Sequence, residues 1–422
     1  MAININDHFG YIEKQLRIQR EISIDNVSND LKISKGYLSE AENGKRKLNE
    51  LTFRKFLDFY EIDFDFDPSL TEEVQRLLND LMEAYIYKNA AKEEQILTVF
   101  ENKTSSYETS LACLYIPLFR MMAARKKDPA GMSDLERNAF KEIDEYLPAY
   151  DNDETALIFY LKAFQAGRRK AFDQALDYYA KALAAFDGGL WPQLEGIIKL
   201  NYAYTIMFGK SYYEGYCVGL EAHDIFVRHG NYARALICYN NIANYLLCLQ
   251  AFEGAKAYLR KILLSPSIQN VPVYGDAVTT MLITLTLEGS FQEAIEFAAE
   301  HSTDGNNGFI RNLPLVPYCH YRLGQYDQCL EQMAQFDPGQ LESDDKALFG
   351  LLKAILKGDP AKIEAAKQKM RRICCKQRNW SMLMVLYQLL IDYYKSVNNL
   401  ELLVEAYEEN NQILRHQLPL EI

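Results

Sequence analysis

The chain has 422 residues and a formal net charge of −12, with 49% apolar and 25% charged residues. This length is sufficient for two or more hydrophobic cores, and this composition is typical of a globular protein rather than a disordered or fibrous one. No apolar run reaches the roughly 18 residues of a membrane span, and the first residues lack a signal peptide's basic and apolar regions. We therefore expect a cytoplasmic protein that contacts no membrane.

Charge is unevenly distributed along the chain. The first 57 residues contain ten Lys and Arg against eight Asp and Glu, whereas the remainder contains 36 against 50. Nucleic-acid phosphates attract basic surfaces and repel acidic ones. If the protein binds DNA, we therefore expect its front part to do so.

Four helices are predicted at the front by apolar periodicity and by capping residues. Ser23 and Ser34 are expected to cap the second and third helices, and Gly44 to end the third. The first helix is expected over residues 8–20 and the second over about 25–31. The third is expected to begin at Ser34, and the fourth to follow Leu48 and to carry Phe53, Phe56 and Leu57. The acidic, aromatic stretch 63–68 follows, and its final proline discourages a continuous helix. We therefore predict one domain at 1–67 and a second at 68–422.

The third helix carries residues that suit contact with double-stranded DNA. A recognition helix presents its first residues to base edges, while polar and basic residues at its end meet the phosphate backbone. The predicted contacts are Ser34, Lys35, Gly36 and Ser39 at its start, and Asn43, Lys45 and Arg46 at its end.

The long remainder contains a recurring helical pattern. An aromatic residue follows a predicted turn, and a small residue stands three positions later, so that two antiparallel helices can approach closely. The markers are Phe172, Tyr212, Phe252, Phe291 and Tyr326, with weaker copies at Pro360 and Leu400. Successive markers are separated by about 34 to 40 residues, which is the length of a helical-hairpin repeat. Gly167, Gly289, Gly324 and Gly358 are expected to mark turns within the repeats.

Certain polar residues recur in the repeat register. Asn201 and Asn241 stand two residues before the buried-type residues Ala203 and Ala243, and an asparagine can both donate to and accept from a peptide backbone. Basic residues nearby could meet a peptide carboxylate. The predicted peptide contacts are Asn201, Asn241, Asn244, Tyr204, Arg168, Lys199 and Arg234. The alternative for each is ordinary polar surface or packing.

Catalytic and metal-binding motifs are missing from the sequence. The six histidines lack His-x-x-x-His spacing, and the chain contains neither a Walker lysine loop nor G-x-G-x-x-G nor G-x-S-x-G. We therefore predict a protein that is not an enzyme, with no catalytic residues, no metal and no cofactor.

The front segment resembles the lambda-repressor-like, or Xre-type, helix-turn-helix family over about 60 residues. The resemblance rests on Leu31 to Ser34 and on Tyr37-Leu38-Ser39 followed by Glu42 to Arg46. It implies that Arg17 pairs with Glu42 inside the domain. The chain departs from the family at Ile24, where a glutamine usually contacts DNA. An alternative is therefore a degenerate domain kept for protein contacts.

The later part resembles tetratricopeptide repeats, which implies an all-α protein whose front domain is followed by a right-handed superhelix with a concave groove. The combination resembles the peptide-responsive quorum-sensing regulators of Gram-positive bacteria, the Rgg, PlcR, PrgX and NprR group. This resemblance implies a homodimeric transcriptional regulator in which a short signalling peptide, bound in the groove, alters the dimer and its binding to a DNA operator. The alternative is a protein-interaction scaffold that sequesters a response regulator or another protein.

Overall fold

The computed structural model of the chain describes residues 8–127, 131–208, 211–265, 272–301, 314–335, 343–377 and 379–414. These residues are mostly α-helical, and their β structure consists of one bridge between Asp65 and Ser110. The predicted all-α class is confirmed. The chain forms two compact units, Met1–Asn201 and Tyr202–Ile422.

Four short helices open the first unit. They are α1 (Phe9–Gln19), α2 (Ile24–Leu31), α3 (Lys35–Glu42) and α4 (Glu50–Tyr60). The side chains of Ser23, Ser34 and Asn49 cap α2, α3 and α4, each accepting a hydrogen bond from a backbone N–H in the first turn. Such caps satisfy groups that a helix leaves unpaired and contribute about 1 kcal/mol each. The two predicted serine caps are confirmed.

An aromatic core holds these four helices together. The Phe9 ring stacks on that of Phe53 with centroids 4.6 Å apart, and Phe64 and Phe66 pack edge-on against Phe53. At Gly10 in α1, an added Cβ would lie 2.1 Å from a carbonyl oxygen of α3. Helices α1 and α3 are therefore so close at this point that only glycine fits. The stretch after α4, predicted from sequence as the domain boundary, therefore contributes two rings to this core.

The first unit continues with further helices. They are α5 (Pro68–Ile86), α6 (Ala90–Glu108), α7 (Ile116–Ala124), α8 (Asp134–Glu142), α9 (Asn152–Arg168) and α10 (Phe172–Ala185). A further helix, α11 (Leu194–Ile206), begins in the first unit and ends in the second. The predicted domain boundary after residue 67 falls where α5 begins, and as a boundary between domains it stays a prediction.

The front helices contact this later region of the first unit directly. An ion pair joins Lys14 to Glu145 with 2.7 Å between nitrogen and oxygen, and the backbone N–H of Asp65 donates to the carbonyl oxygen of Thr109 over 2.8 Å. These two contacts join residues 8–67 to later parts of the same unit.

The described part of the second unit consists of helices that follow one another along the chain. They are α12 (Tyr212–Arg228), α13 (Tyr232–Cys248), α14 (Phe252–Leu263), α15 (Pro272–Glu288), α16 (Phe291–His301), α17 (Leu315–Arg322), α18 (Tyr326–Ala334), α19 (Ser343–Leu356), α20 (Pro360–Gln377), α21 (Trp380–Ser396) and α22 (Leu400–Leu414). Every one of the seven predicted repeat markers is the first residue of a helix, which confirms the repeat register.

The small residues of the repeat pattern lie where helices touch. Ala175, Ala255 and Ala294 are fully buried. At Gly215, an added Cβ would lie 3.0 Å from the ring of Tyr245. A larger side chain at these positions would separate the packed helices, so the predicted role of small residues is confirmed.

A common backbone corner joins consecutive helices. In eight described corners, a residue with positive φ stands two positions before the next helix begins; the residues are Lys88, Lys170, Gly230, Gln250, Gly289, Gly324, Gly358 and Asn398. In each corner, the N–H of the following residue donates to a carbonyl five residues earlier, as in a Schellman motif. The prediction for Gly167 is wrong: it lies within α9, and Lys170 takes the left-handed position.

Candidate functional site

The start of α3 forms an exposed polar surface. Ser34, Lys35 and Gly36 are exposed and Ser39 is half-buried. The Ser34 hydroxyl is engaged as the cap, accepting from the N–H of Tyr37. An added Cβ at Gly36 would meet nothing within 4 Å, so internal packing does not require glycine there. The open position leaves room for close approach of another molecule.

An acidic residue faces the first cation of this surface. The Lys35 ammonium lies 2.7 Å from a carboxylate oxygen of Asp25 in α2, and both side chains are more than half exposed. Exposed pairs of this kind contribute about 0–1 kcal/mol, because water screens them. Ile24, where the resembling family usually carries glutamine, is half-buried beside Asp25.

A side-chain hydrogen bond and a left-handed glycine define the end of α3. The Asn43 side-chain amide donates to the carbonyl of Ser39 over 2.7 Å. Gly44 has a φ of +67°, and an added Cβ there would lie 1.8 Å from the Tyr11 hydroxyl. Only glycine fits this corner, which turns the chain so that the exposed Lys45 follows directly.

Arg46 is only loosely held. Its guanidinium lies 4.5 Å from the Tyr37 ring centroid and 3.7 Å from a carboxylate oxygen of Glu40, and the side chains of Arg46 and Glu40 are more than half exposed. Both contacts are weak enough in water to be exchanged for a phosphate.

A buried charged cluster supports α3 from beneath. The Arg17 guanidinium donates to both carboxylate oxygens of Glu42, over 2.7 and 2.8 Å, which confirms the predicted pairing. The Tyr60 hydroxyl donates to Glu13 over 2.7 Å. Burial raises the pKa of Glu13 to about 8, with the Glu42 charge adding to the shift. Family resemblance indicated the Arg17 pair, but no feature of the sequence indicated the role of Glu13.

The three predicted peptide contacts of the first unit have partners within their own surroundings. The Asn201 side-chain amide donates to the carbonyl of Ile197 over 2.9 Å. Lys199 pairs with Glu195 one turn earlier at 2.7 Å. The Arg168 guanidinium donates to a backbone carbonyl at the end of α7. These contacts neither test nor require a peptide, so the three assignments stay predictions.

A buried polar network lies next to Asn201. Its amide is 3.5 Å from the Tyr160 hydroxyl, which hydrogen-bonds with the Tyr85 hydroxyl. The Arg125 guanidinium lies 3.6 Å from the Tyr85 ring centroid and pairs with Glu93. No local sequence pattern indicates this network, because its members come from separate helices.

The predicted contacts of the second unit differ in exposure. Tyr204 is 48% exposed, and its ring packs edge-on against Phe208. Asn241 and Asn244 are half-buried, and the Asn244 amide donates to a backbone carbonyl one turn earlier over 3.0 Å. Arg234 is buried in the first turn of α13. Tyr204, Asn241 and Asn244 thus present accessible surface, whereas Arg234 presents little.

No group of three or more His, Cys, Asp or Glu residues within the described ranges is arranged to hold a metal ion. Among the helices that the structure describes, none is both long enough and apolar enough to cross a membrane.

These features define a class of protein, an array of tetratricopeptide-like helical hairpins that shares its fold with Rap and NprR proteins. No protein-family model and no curated protein matches the sequence. A Rap protein complexed with Competence and Sporulation Factor has a TM-score of 0.64 at 17% identity, and the match covers 82% of this chain and 99% of that chain.

Two further proteins with solved structures share this fold. The quorum sensor NprR from B. thuringiensis matches in its apo form with a TM-score of 0.57 at 14% identity, covering 81% of this chain and 99% of its own. NprR has also been solved with its cognate peptide NprX. Aspartyl phosphate phosphatase F from Bacillus subtilis matches with a TM-score of 0.52 at 16% identity, and the match covers 85% of this chain and 96% of that chain. At these identities the likeness establishes a shared fold.

Proposed function

We propose that this chain is a DNA-binding regulator whose repeat helices bind a short signalling peptide. The observation that carries the DNA-binding half is the exposed start of α3, with Lys35, open Gly36 and Ser39 after a serine cap. In this proposal α2 and α3 form a helix-turn-helix, and α3 enters the major groove. Asn43, Lys45 and Arg46 then hold the phosphate backbone.

The extent of the structural matches supports a module that this chain has in addition to the repeat fold. The Rap match covers 99% of its own chain but 82% of this one. The uncovered share of this chain is similar in size to the predicted front domain, 1–67. A repeat protein extended by a segment of this size would combine a peptide sensor with a DNA reader.

The peptide-binding half is supported by a fold neighbour that is a quorum sensor with a cognate peptide. We assign Asn241, Asn244 and Tyr204 as its first candidates, because these side chains retain accessible surface. A peptide can change DNA binding only through its different affinities for two forms of the protein. In a homodimer, those forms would differ in whether two recognition helices meet half-sites about 34–36 Å apart.

The test begins with selection of bound duplexes from a random-sequence DNA library by the full-length protein. Affinity for the selected duplex is then measured by fluorescence anisotropy at several salt concentrations. Arg46→Glu should weaken binding to all sequences and flatten the salt dependence. Lys369→Glu alters the net charge by the same amount at an exposed position on α20, and this variant should bind DNA as wild type does. Failure to select any duplex, or wild-type binding by Arg46→Glu, would reject the DNA assignment.

A second candidate is a scaffold that acts on a response regulator. The observation that favours it is the fold neighbour named aspartyl phosphate phosphatase F. A phosphorylated receiver domain incubated with the full-length chain separates the two candidates. Stable complex formation or loss of the phosphoryl group, together with no DNA selection, would favour the scaffold.

A further inference from the structure

The second unit contains a cavity of about 720 Å³ lined by residues of α17, α18, α19 and α21. Its apolar wall includes Met333, which is 8% exposed, and the partly buried Leu356. Tyr321 and Tyr393 add aromatic rings with hydroxyl groups. Sites for small molecules are typically about 300–1,000 Å³ and mostly apolar, with a few polar groups. None of the lining residues belongs to the predicted DNA or peptide contacts.

Two lysines give the rim of this cavity its charge. Lys353 and Lys357 lie one turn apart at the end of α19, both are exposed, and neither has an ion-pair partner among the described residues. Like charges at this spacing repel each other. No carboxylate from the described part of the chain lines the cavity. An apolar wall beside two unneutralised cations favours a ligand with one apolar and one anionic end.

The aromatic side of the cavity offers hydrogen-bond donors. Burial and the neighbouring Tyr326 raise the pKa of Tyr321 to about 12, so its hydroxyl is protonated at neutral pH. A protonated hydroxyl can donate to an anion, whereas a phenolate would repel it.

We propose that this cavity binds a small anionic amphiphile, an aromatic or medium-chain alkyl group that carries one carboxylate or sulfonate. The apolar part packs against Met333 and Leu356, and the anion lies beside Lys353 and Lys357. This site is separate from the proposed DNA and peptide contacts, and its test uses neither DNA nor peptide.

The experiment measures 8-anilinonaphthalene-1-sulfonate binding to the full-length protein by fluorescence and by calorimetry. We expect one saturable site, displaced by dodecanoate. Lys353→Glu/Lys357→Glu should weaken binding about ten-fold or more, because the anion would then face carboxylates. Met333→Trp should block the site by filling it.

Two controls separate the cavity from general surface binding. Lys376→Glu removes a lysine from the last turn of α20, outside the cavity, and should bind as wild type does. N-phenyl-1-naphthylamine, which lacks the sulfonate, should bind wild type and the double lysine variant equally. Non-saturable binding, or full binding of the sulfonate by the double variant, would overturn the proposal. The lysine variant remains informative if Met333→Trp does not fold.

Discussion

The guanidinium of Arg17 holds both carboxylate oxygens of Glu42, although 25 residues separate the two in the chain. The Arg17 side chain is 13% exposed and that of Glu42 is 5% exposed, so water competes little for this pair. The pair joins α1 to the end of α3 and fixes the helix that carries the proposed DNA contacts.

Replacing Arg17 by methionine should destabilise α1–α4 strongly. The Glu42 carboxylate would remain buried without its partner, which typically costs about 3–5 kcal/mol. Amide hydrogen exchange across α1–α3, measured by mass spectrometry on the full-length chain, should show the loss of protection. Lys45→Met, an exposed control at the end of the same region, should change protection by about 0.5 kcal/mol or less. Equal protection in the two variants would show that the pair is not stabilising.

The front helices should lose stability as pH rises. Burial raises the pKa of Glu13 from 4.5 to about 8, so the folded state retains a proton that the unfolded state releases. The free energy of unfolding should therefore fall between about pH 4.5 and 8, by at most about 1.4 kcal/mol per pH unit. Hydrogen exchange of α1, corrected for intrinsic rates, measures this slope. Glu13→Gln should flatten it; an unchanged slope in that variant would assign the effect to another group.

Removing the carboxylate of Asp25 should strengthen DNA binding. Lys35 would then be free to contact DNA, and one negative charge would leave the surface. An exposed pair is worth about 0.2–1 kcal/mol, which corresponds to an increase in affinity of about 1.4- to five-fold. Anisotropy with the selected duplex measures Asp25→Asn. Asp30 is exposed on the same helix and has no ion pair among the described residues, so Asp30→Asn should have a smaller effect. Equal effects of the two substitutions would show that the change in net charge alone accounts for the gain in affinity.

Two glycines should respond in opposite ways to alanine. Gly324 has a φ of +71°, so alanine there should cost about 1–2 kcal/mol. Gly350 lies inside α19 with open space around an added Cβ, so alanine should stabilise the helix by about 0.8–1 kcal/mol. Thermal unfolding of the full-length variants checks both signs. A stabilising Gly324→Ala would show that the left-handed corner does not constrain this turn.

A bound peptide should be recoverable from the protein purified from its native host. Mass spectrometry of the denatured material should find a stoichiometric peptide of about five to ten residues, a length that spans several extended backbone units. Asn241→Ala/Asn244→Ala should lose it, because the two amides no longer bond its backbone. Asn138→Ala, an exposed change on α8, should retain it. Recovery of a co-purifying protein in place of a peptide would support the scaffold candidate.

Local rules predicted much of this fold, because caps and corners depend on adjacent residues. Ser23 and Ser34 needed only their own first turns, and the repeat markers stood out through repetition. The prediction for Gly167 failed because glycine is also tolerated inside a helix, whereas Lys170 adopts the left-handed conformation despite its side chain. Which residue adopts the left-handed conformation depends on the free energy of the whole corner. The conformational preference of a single residue does not determine it.

Parts of the site could not be predicted because they depend on residues that are far apart in the sequence and close together in the fold. Tyr85 and Tyr160 form a hydrogen bond across 75 residues, and nothing in either local sequence distinguishes them among 29 tyrosines. The same holds for Phe64 and Phe66, whose stretch has the composition of a connection but packs as core. The cavity beside Met333 arises from four helices and has no sequence pattern of its own.

The uniform corners explain how repeats of unequal length keep one architecture. Each corner sets the direction of the next helix through a left-handed residue and hydrogen bonds between near neighbours, at the same distance from the helix start. Differences in length between repeats are therefore absorbed by the helices and by the connections elsewhere in each repeat. Insertions and deletions can accumulate in those segments while the hairpins keep their register.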